Sequence, residues 1–127
     1  MKQKISEKRT VLIADDQESY RFLFTFILEQ EGWEVSVAKN GREALEKVLK
    51  QQPDLLILDN RMPELTGAEV CQCLQLHGIK LAVVMVSSHT NLKTLASSLG
   101  IFYFLEKPFE ISDFMKIIES AYENFWL

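Results

Sequence analysis

The chain alternates short apolar runs with helical stripes. Thr10-Val11-Leu12-Ile13-Ala14 predicts a buried strand that stops at Asp15-Asp16. Tyr20, Leu23, Phe24, Ile27 and Leu28 then recur at helical spacing, with Gly32 as the stop. Trp33 to Ala38 alternates apolar and polar, the pattern of a half-buried strand. After an Asn40-Gly41 turn, Ala44, Leu45, Val48 and Leu49 stripe a second helix. Pro53 separates it from Leu55-Leu56-Ile57-Leu58, a strand apolar on both faces that ends at Asp59.

The third helix has a marked start. Thr66 and Glu69 have capping-box spacing, and Leu65 with Val70 has the spacing of a hydrophobic staple. It runs to about His77-Gly78. Leu81 to Val86 predicts a fourth strand, ending at Ser87-Ser88. Leu92, Leu95, Ala96 and Leu99 stripe a fourth helix that Gly100 stops. Ile101 to Leu105 predicts a fifth strand, ending at Glu106-Lys107-Pro108. Phe114, Ile118, Ala121 and Phe125 stripe the last helix. Strands each followed by a helix, joined by right-handed crossovers, build a parallel sheet with helices on both faces: an α/β chain of (βα)5 type. Residues 1–9 read as a frayed polar lead and 10–127 as one domain.

In an open parallel sheet, ligands bind at the carboxyl ends of the strands. Here those ends carry Asp15, Asp16, Asp59, Ser87, Ser88 and Lys107. Three carboxylates held together repel unless a cation joins them. Oxygen donors suit magnesium better than zinc. A nearby lysine and hydroxyl can receive an added anion. The set fits phosphoryl transfer to a carboxylate nucleophile. Each residue alone has an ordinary explanation as a turn former, a helix cap or a solvated charge. Their recurrence at four strand ends is what argues for chemistry.

Composition narrows the picture. The chain has 127 residues, 18 acids against 14 bases and a net charge of -4, with 47% hydrophobic residues. That suits one globular domain and excludes a disordered tail. The acidic balance argues against broad binding to nucleic-acid phosphates, though not against a small basic patch; with no DNA-binding element in the pattern, no direct nucleic-acid contact is expected. The basic residues near Met1 are followed by no apolar stretch, and the longest aliphatic run is too short for a membrane span. Cys71 and Cys73 lie two apart in a helical pattern, on nearly opposite faces, which argues against a mutual disulfide. These features lead to an expected cytoplasmic location with no membrane partner.

The sequence resembles the receiver domain of two-component response regulators. The resemblance rests on Val11-Leu12-Ile13-Ala14-Asp15-Asp16, on Ala38-Lys39-Asn40-Gly41-Arg42-Glu43-Ala44-Leu45, and on Pro53 through Pro63. Gly67, Val83 through Ser88, and Lys107-Pro108-Phe109 extend it, so that it covers about residues 10–122. It implies a three-layer, doubly wound sandwich with strand order 2-1-3-4-5, like flavodoxin.

It also implies roles. Asp59 would accept a phosphoryl group from a sensor histidine kinase or a histidine phosphotransfer protein. Asp16, Asp59 and the Arg61 backbone carbonyl would ligate Mg2+, for which Mn2+ can substitute, and Asp15 would contribute through water. Ser87 would hydrogen-bond the phosphoryl oxygen and Lys107 would pair with it, after a cis Lys107-Pro108 peptide. Ser87 would be drawn towards the phosphate and Phe104 would turn inward. That would change the face formed by the fourth helix, fifth strand and fifth helix, as a population shift. The chain would be a phosphoacceptor that catalyses its own phosphotransfer and autodephosphorylation, not an enzyme with an external substrate. It would signal to a downstream protein or output domain, as a monomer or a phosphorylation-dependent dimer.

Two positions depart from the common pattern: Ser87 stands where Thr is frequent, and Phe104 where Tyr is. Arg61 and His89 occupy sites that modulate phosphate loss, with Asn60 and Ser88 beside them. Arg61 and His89 are expected to project over the pocket, so that Arg61→Ala and His89→Ala would change autodephosphorylation. Ending just after the fifth helix favours a stand-alone receiver over a fragment of a longer regulator. Phe125-Trp126-Leu127 could pack on the body, form a partner surface or precede another domain. An aspartyl-phosphate hydrolase of haloacid dehalogenase type is the alternative, but it needs Asp-x-Asp after its first strand. A flavodoxin-like FMN binder would need a phosphate loop where this chain has two carboxylates.

Overall fold

A computed structural model describes residues 8–127. Five parallel strands form one sheet in the order β2-β1-β3-β4-β5. They are β1 (Thr10–Ala14), β2 (Glu34–Ala38), β3 (Leu55–Leu58), β4 (Ala82–Ser87) and β5 (Tyr103–Glu106). The intervening helices are α1 (Glu18–Gln30), α2 (Gly41–Gln51), α3 (Gly67–Leu76), α4 (Leu92–Ser98) and α5 (Ile111–Trp126). The (βα)5 topology and strand order are those the sequence pattern and the resemblance imply.

The two-residue period of the strands builds the three layers. Leu12, Ala14, Leu56, Leu58 and Met85 face the core beneath α2, α3 and α4, with Val48, Val70, Leu74 and Leu92. Val11, Ile13, Leu55, Ile57, Val84 and Val86 face the opposite core, with Phe24 and Leu28 of α1 and Phe114 and Ile118 of α5. Burial on both faces explains why β3 reads as an unbroken apolar run. β2 alternates because it is an edge strand. Phe24 and Phe114 stack with ring centroids 4.6 Å apart, joining α1 to α5.

Helix starts follow local chemistry. Asn40 Oδ1 accepts the Glu43 N–H at 2.7 Å at the head of α2. Thr66 and Glu69 form the reciprocal capping box of α3. Leu65 packs into the same core cluster as Val70, as a staple requires.

Three expected boundaries move. β2 begins at Glu34, not Trp33. The Trp33 side chain is instead buried edge-on against Tyr122, 5.3 Å between centroids. β4 is shifted by one residue, to Ala82–Ser87, because Ser87 pairs with Glu106. β5 begins at Tyr103, because the Ile101 N–H is taken by the Ala96 carbonyl in the turn that closes α4. Of the expected polar lead, residues 1–7 lie outside the described residues, but Arg9 is not frayed. Its guanidinium stacks 4.3 Å from the Trp33 ring, and its Nη1 pairs with Glu119 Oε1 at 2.7 Å. Cys71 and Cys73 are both free thiols, and burial pushes Cys71 up to about 11.

Candidate functional site

The strand ends bring Asp15, Asp16, Asp59, Ser87 and Lys107 to one edge of the sheet. Asp15 and Asp16 follow β1, and Asp59 follows β3. The Asp59 N–H donates to the Ala14 carbonyl at 2.9 Å, which continues the β1–β3 ladder and sets the acids side by side. Carboxylate oxygens of Asp15, Asp16 and Asp59 lie within 4.8 Å of one another. Asp15 is 1% and Asp59 5% exposed, while Asp16 faces solvent.

Lys107 reaches this cluster from the end of β5. The Lys107-Pro108 peptide is cis. The Lys107 N–H donates to the Ser87 carbonyl at 3.0 Å. Its ammonium donates to Asp15 Oδ2 at 2.7 Å and sits 3.4 Å from Asp59 Oδ2. Burial holds the Asp15 carboxyl above its ordinary 3.8, and the Asp59 charge adds to this; the hydrogen bonds from Lys107 and Gln17 oppose it. Both Asp15 oxygens are occupied, since Oδ1 accepts the Gln17 N–H at 2.9 Å.

Ser87 is fully buried, and its Oγ has no hydrogen-bond partner. A buried hydroxyl without a partner is costly. Ser87 lies at the end of β4, where its carbonyl accepts the Lys107 N–H, and its hydroxyl is left for an acceptor from outside the chain. Three clustered carboxylates with oxygen donors only are also a donor set suited to magnesium.

The remaining predicted positions divide. Asn60 is committed to the fold: its Oδ1 accepts the Ala68 N–H at 3.0 Å and its carbonyl accepts the Gly67 N–H at 2.9 Å. Arg61 and Ser88 are exposed. His89 is half-buried, and its Nδ1 accepts the Asn91 N–H at 3.2 Å, which turns that ring edge towards the start of α4. Phe104 is half-buried against the α2–α3–α4 core.

Two residues at the site escape the strand-end pattern. Gln17 Oε1 accepts from the Lys107 ammonium at 3.1 Å. The Tyr20 ring lies under the same ammonium, 4.0 Å from its centroid. Tyr20 reads in the sequence as the first residue of an apolar stripe; its place one turn beyond Asp16 was the only available signal. A recess of about 580 Å³ lies at the other end of the sheet, between Leu74, Ile79, Val83 and Phe102. Among the described residues its lining holds no carboxylate, so the chemistry is elsewhere.

The family model described as "Response regulator receiver domain" matches residues 11–119, and the chain belongs to that family. Sporulation initiation phosphotransferase F of Bacillus subtilis is 31% identical over 105 residues, covering 81% of this chain and 85% of that protein. The PhoP regulator of alkaline phosphatase synthesis, also from Bacillus subtilis, is 35% identical over 80% of this chain, but the match spans only 43% of PhoP. Against the AtoC regulatory protein of Escherichia coli, it spans 24% of that protein. The structure superposes on the Vibrio cholerae chemotaxis protein CheY4 with a TM-score of 0.81, at 30% identity over 90% of this chain and 98% of that one. The Francisella response regulator 1452 receiver domain gives 0.84 at 27% identity, covering 92% and 98%. No helix among the described residues is long and apolar enough to cross a membrane.

Proposed function

We propose that the chain accepts a phosphoryl group on Asp59 and uses it as a signal. The observation that carries this reading is the cluster of three carboxylates with the Lys107 ammonium between Asp15 and Asp59, at the strand ends where the buried, unpartnered Ser87 hydroxyl also lies. An Asp59 carboxylate oxygen attacks the phosphorus of a phosphohistidine on a sensor kinase or phosphotransfer protein. The O–P bond forms as the N–P bond breaks, and the electron pair leaves with the imidazole. Ser87 donates a hydrogen bond to a phosphoryl oxygen and Lys107 pairs with another.

Asp16, Asp59 and the Arg61 carbonyl would hold Mg2+, or Mn2+ in its place. Asp15 would act through water, in keeping with its two occupied oxygens. When bound, the ion would neutralise the carboxylates and the developing phosphoryl charge. The signal would pass through Ser87 and Phe104 to the α4–β5–α5 face, and from there to a downstream protein or output domain. Turnover of an external substrate is not part of this reading, and a cytoplasmic setting suits a kinase partner.

Incubation with acetyl phosphate and magnesium, followed by intact mass, tests it. The expected result is a gain of about 80 Da, one phosphoryl group, that is lost in Asp59→Asn. No gain on the unmutated chain overturns the proposal.

A further inference from the structure

We propose that Gln17 and Tyr20 are positioning residues that hold the Lys107 ammonium at the mouth of the site. The inference rests on the phosphoacceptor reading above. An ammonium has three protons to donate. Here Asp15 Oδ2 at 2.7 Å, Gln17 Oε1 at 3.1 Å and Asp59 Oδ2 at 3.4 Å surround Nζ, and the face of Tyr20 lies 4.0 Å away. The lysine side chain is only 4% exposed, so these four groups replace most of its water.

Two of the four partners are charged and two are neutral, and the difference matters for function. Asp15 and Asp59 belong to the cluster that a divalent cation would occupy. A cation shared among those acids competes with the ammonium for their charge. The Gln17 carbonyl and the Tyr20 ring offer no charge to that cation. They would keep their hold on Lys107, together with Asp15, if Asp59 turned to a bound cation. The Lys107 N–H that no longer donates to Asp59 would then point into the site, where an incoming phosphoryl oxygen can accept its hydrogen bond.

The local backbone supports a dedicated side chain at position 17. Gln17 is the N-cap of α1, yet its side chain caps nothing. Its backbone opens the helix ladder: the Gln17 carbonyl accepts the Tyr20 and Arg21 N–H groups, each at 3.1 Å. The Gln17 amide is thus free to face Lys107. Tyr20 is braced from behind by Phe24 and Phe109, with centroids 5.6 and 6.1 Å away. The ring is thereby held by packing, not by its hydroxyl.

Two measurements on the full chain test this. The first needs neither cation nor phosphodonor. Protons on the Lys107 Cε should resonate upfield because of the Tyr20 ring current, keep that shift in Tyr20→Phe, and lose it in Tyr20→Leu. The second is the rate of phosphoryl gain from acetyl phosphate with magnesium. Gln17→Ala, which spares the bonds to the Gln17 carbonyl, and Tyr20→Leu should each slow it roughly fivefold, while Tyr20→Phe restores it. An unshifted Lys107 signal in the unmutated chain, or variants that gain phosphate as fast as it does, overturns the cradle. If the unmutated chain gains no phosphate, the phosphoacceptor reading fails, and the Lys107 shift still decides the cradle.

Discussion

Lys107 Nζ donates to Asp15 Oδ2 at 2.7 Å, with both side chains almost wholly withdrawn from solvent. The pair does not fully compensate the burial of Asp15, whose carboxyl stays above its ordinary 3.8. In the unfolded chain the carboxyl titrates near that ordinary value. Between the two values the folded chain binds more protons, so the Asp15 contribution to stability declines as pH rises through that window. Without divalent cation, Asp15→Asn should therefore raise Tm at neutral pH. The gain should shrink as the pH is lowered towards 4, and thermal melts in chelator across that range check it. A variant that melts lower at every pH contradicts the sign.

The Ser87 hydroxyl is buried without a partner. Replacing it by a methyl removes an unsatisfied polar group and leaves little void. Ser87→Ala should raise the stability of the unphosphorylated chain by about 1 kcal/mol in urea titrations. The same variant should lose stability relative to the unmutated chain once a phosphoryl group is present. An unchanged midpoint in the first titration means that the hydroxyl has a partner in solution.

Gly67 backs directly onto the phosphoacceptor. A Cβ at this position would lie 2.5 Å from the Asp59 carbonyl oxygen and 3.0 Å from the Asn60 Cα, both backbone atoms that cannot swing aside. Gly67→Ala should cost about 1–3 kcal/mol and displace Asp59. Phosphoryl gain in this variant should fall even at temperatures where far-UV circular dichroism shows the chain folded. Normal gain in a folded Gly67→Ala separates the glycine from the chemistry.

The last turn of α5 is tied to the residue that precedes β3, the central strand of the sheet. Trp126 Nε1 donates to the Asp54 carbonyl at 2.8 Å, while Leu127 remains 66% exposed. Trp126→Phe keeps most of the ring but not the hydrogen bond, and should cost about 1 kcal/mol. Deleting Leu127 should change stability by less than about 0.5 kcal/mol. Equal effects from the two changes, measured as urea midpoints, would falsify the anchor.

Much of this molecule is legible one segment at a time. The four-residue apolar run at Leu55–Leu58 declares a strand buried on both faces, because neighbouring side chains point to opposite layers. Thr66 and Glu69 declare the start of α3, because a capping box closes within one turn. Asp15, Asp16, Asp59, Ser87 and Lys107 could be gathered into one site because each ends a strand of a parallel sheet.

What could not be read depends on contacts between distant segments. The sequence does not say that Gln17 and Tyr20 face Lys107, some ninety residues away, since both also fit an ordinary helix start. Nor does it show that Arg9 is clamped between Trp33 and Glu119, or that Trp126 reaches back to Asp54. Local periodicity follows from backbone geometry and the partition of side chains between water and core, and both act over a few residues. Which partner a long side chain meets depends on how layers pack after the chain has closed. The sequence by itself therefore determined the elements, their order and the residues at the strand ends. Only the tertiary structure decided that Lys107 leans first on Asp15, that Asn60 serves α3, and that Ser87 is left without a partner.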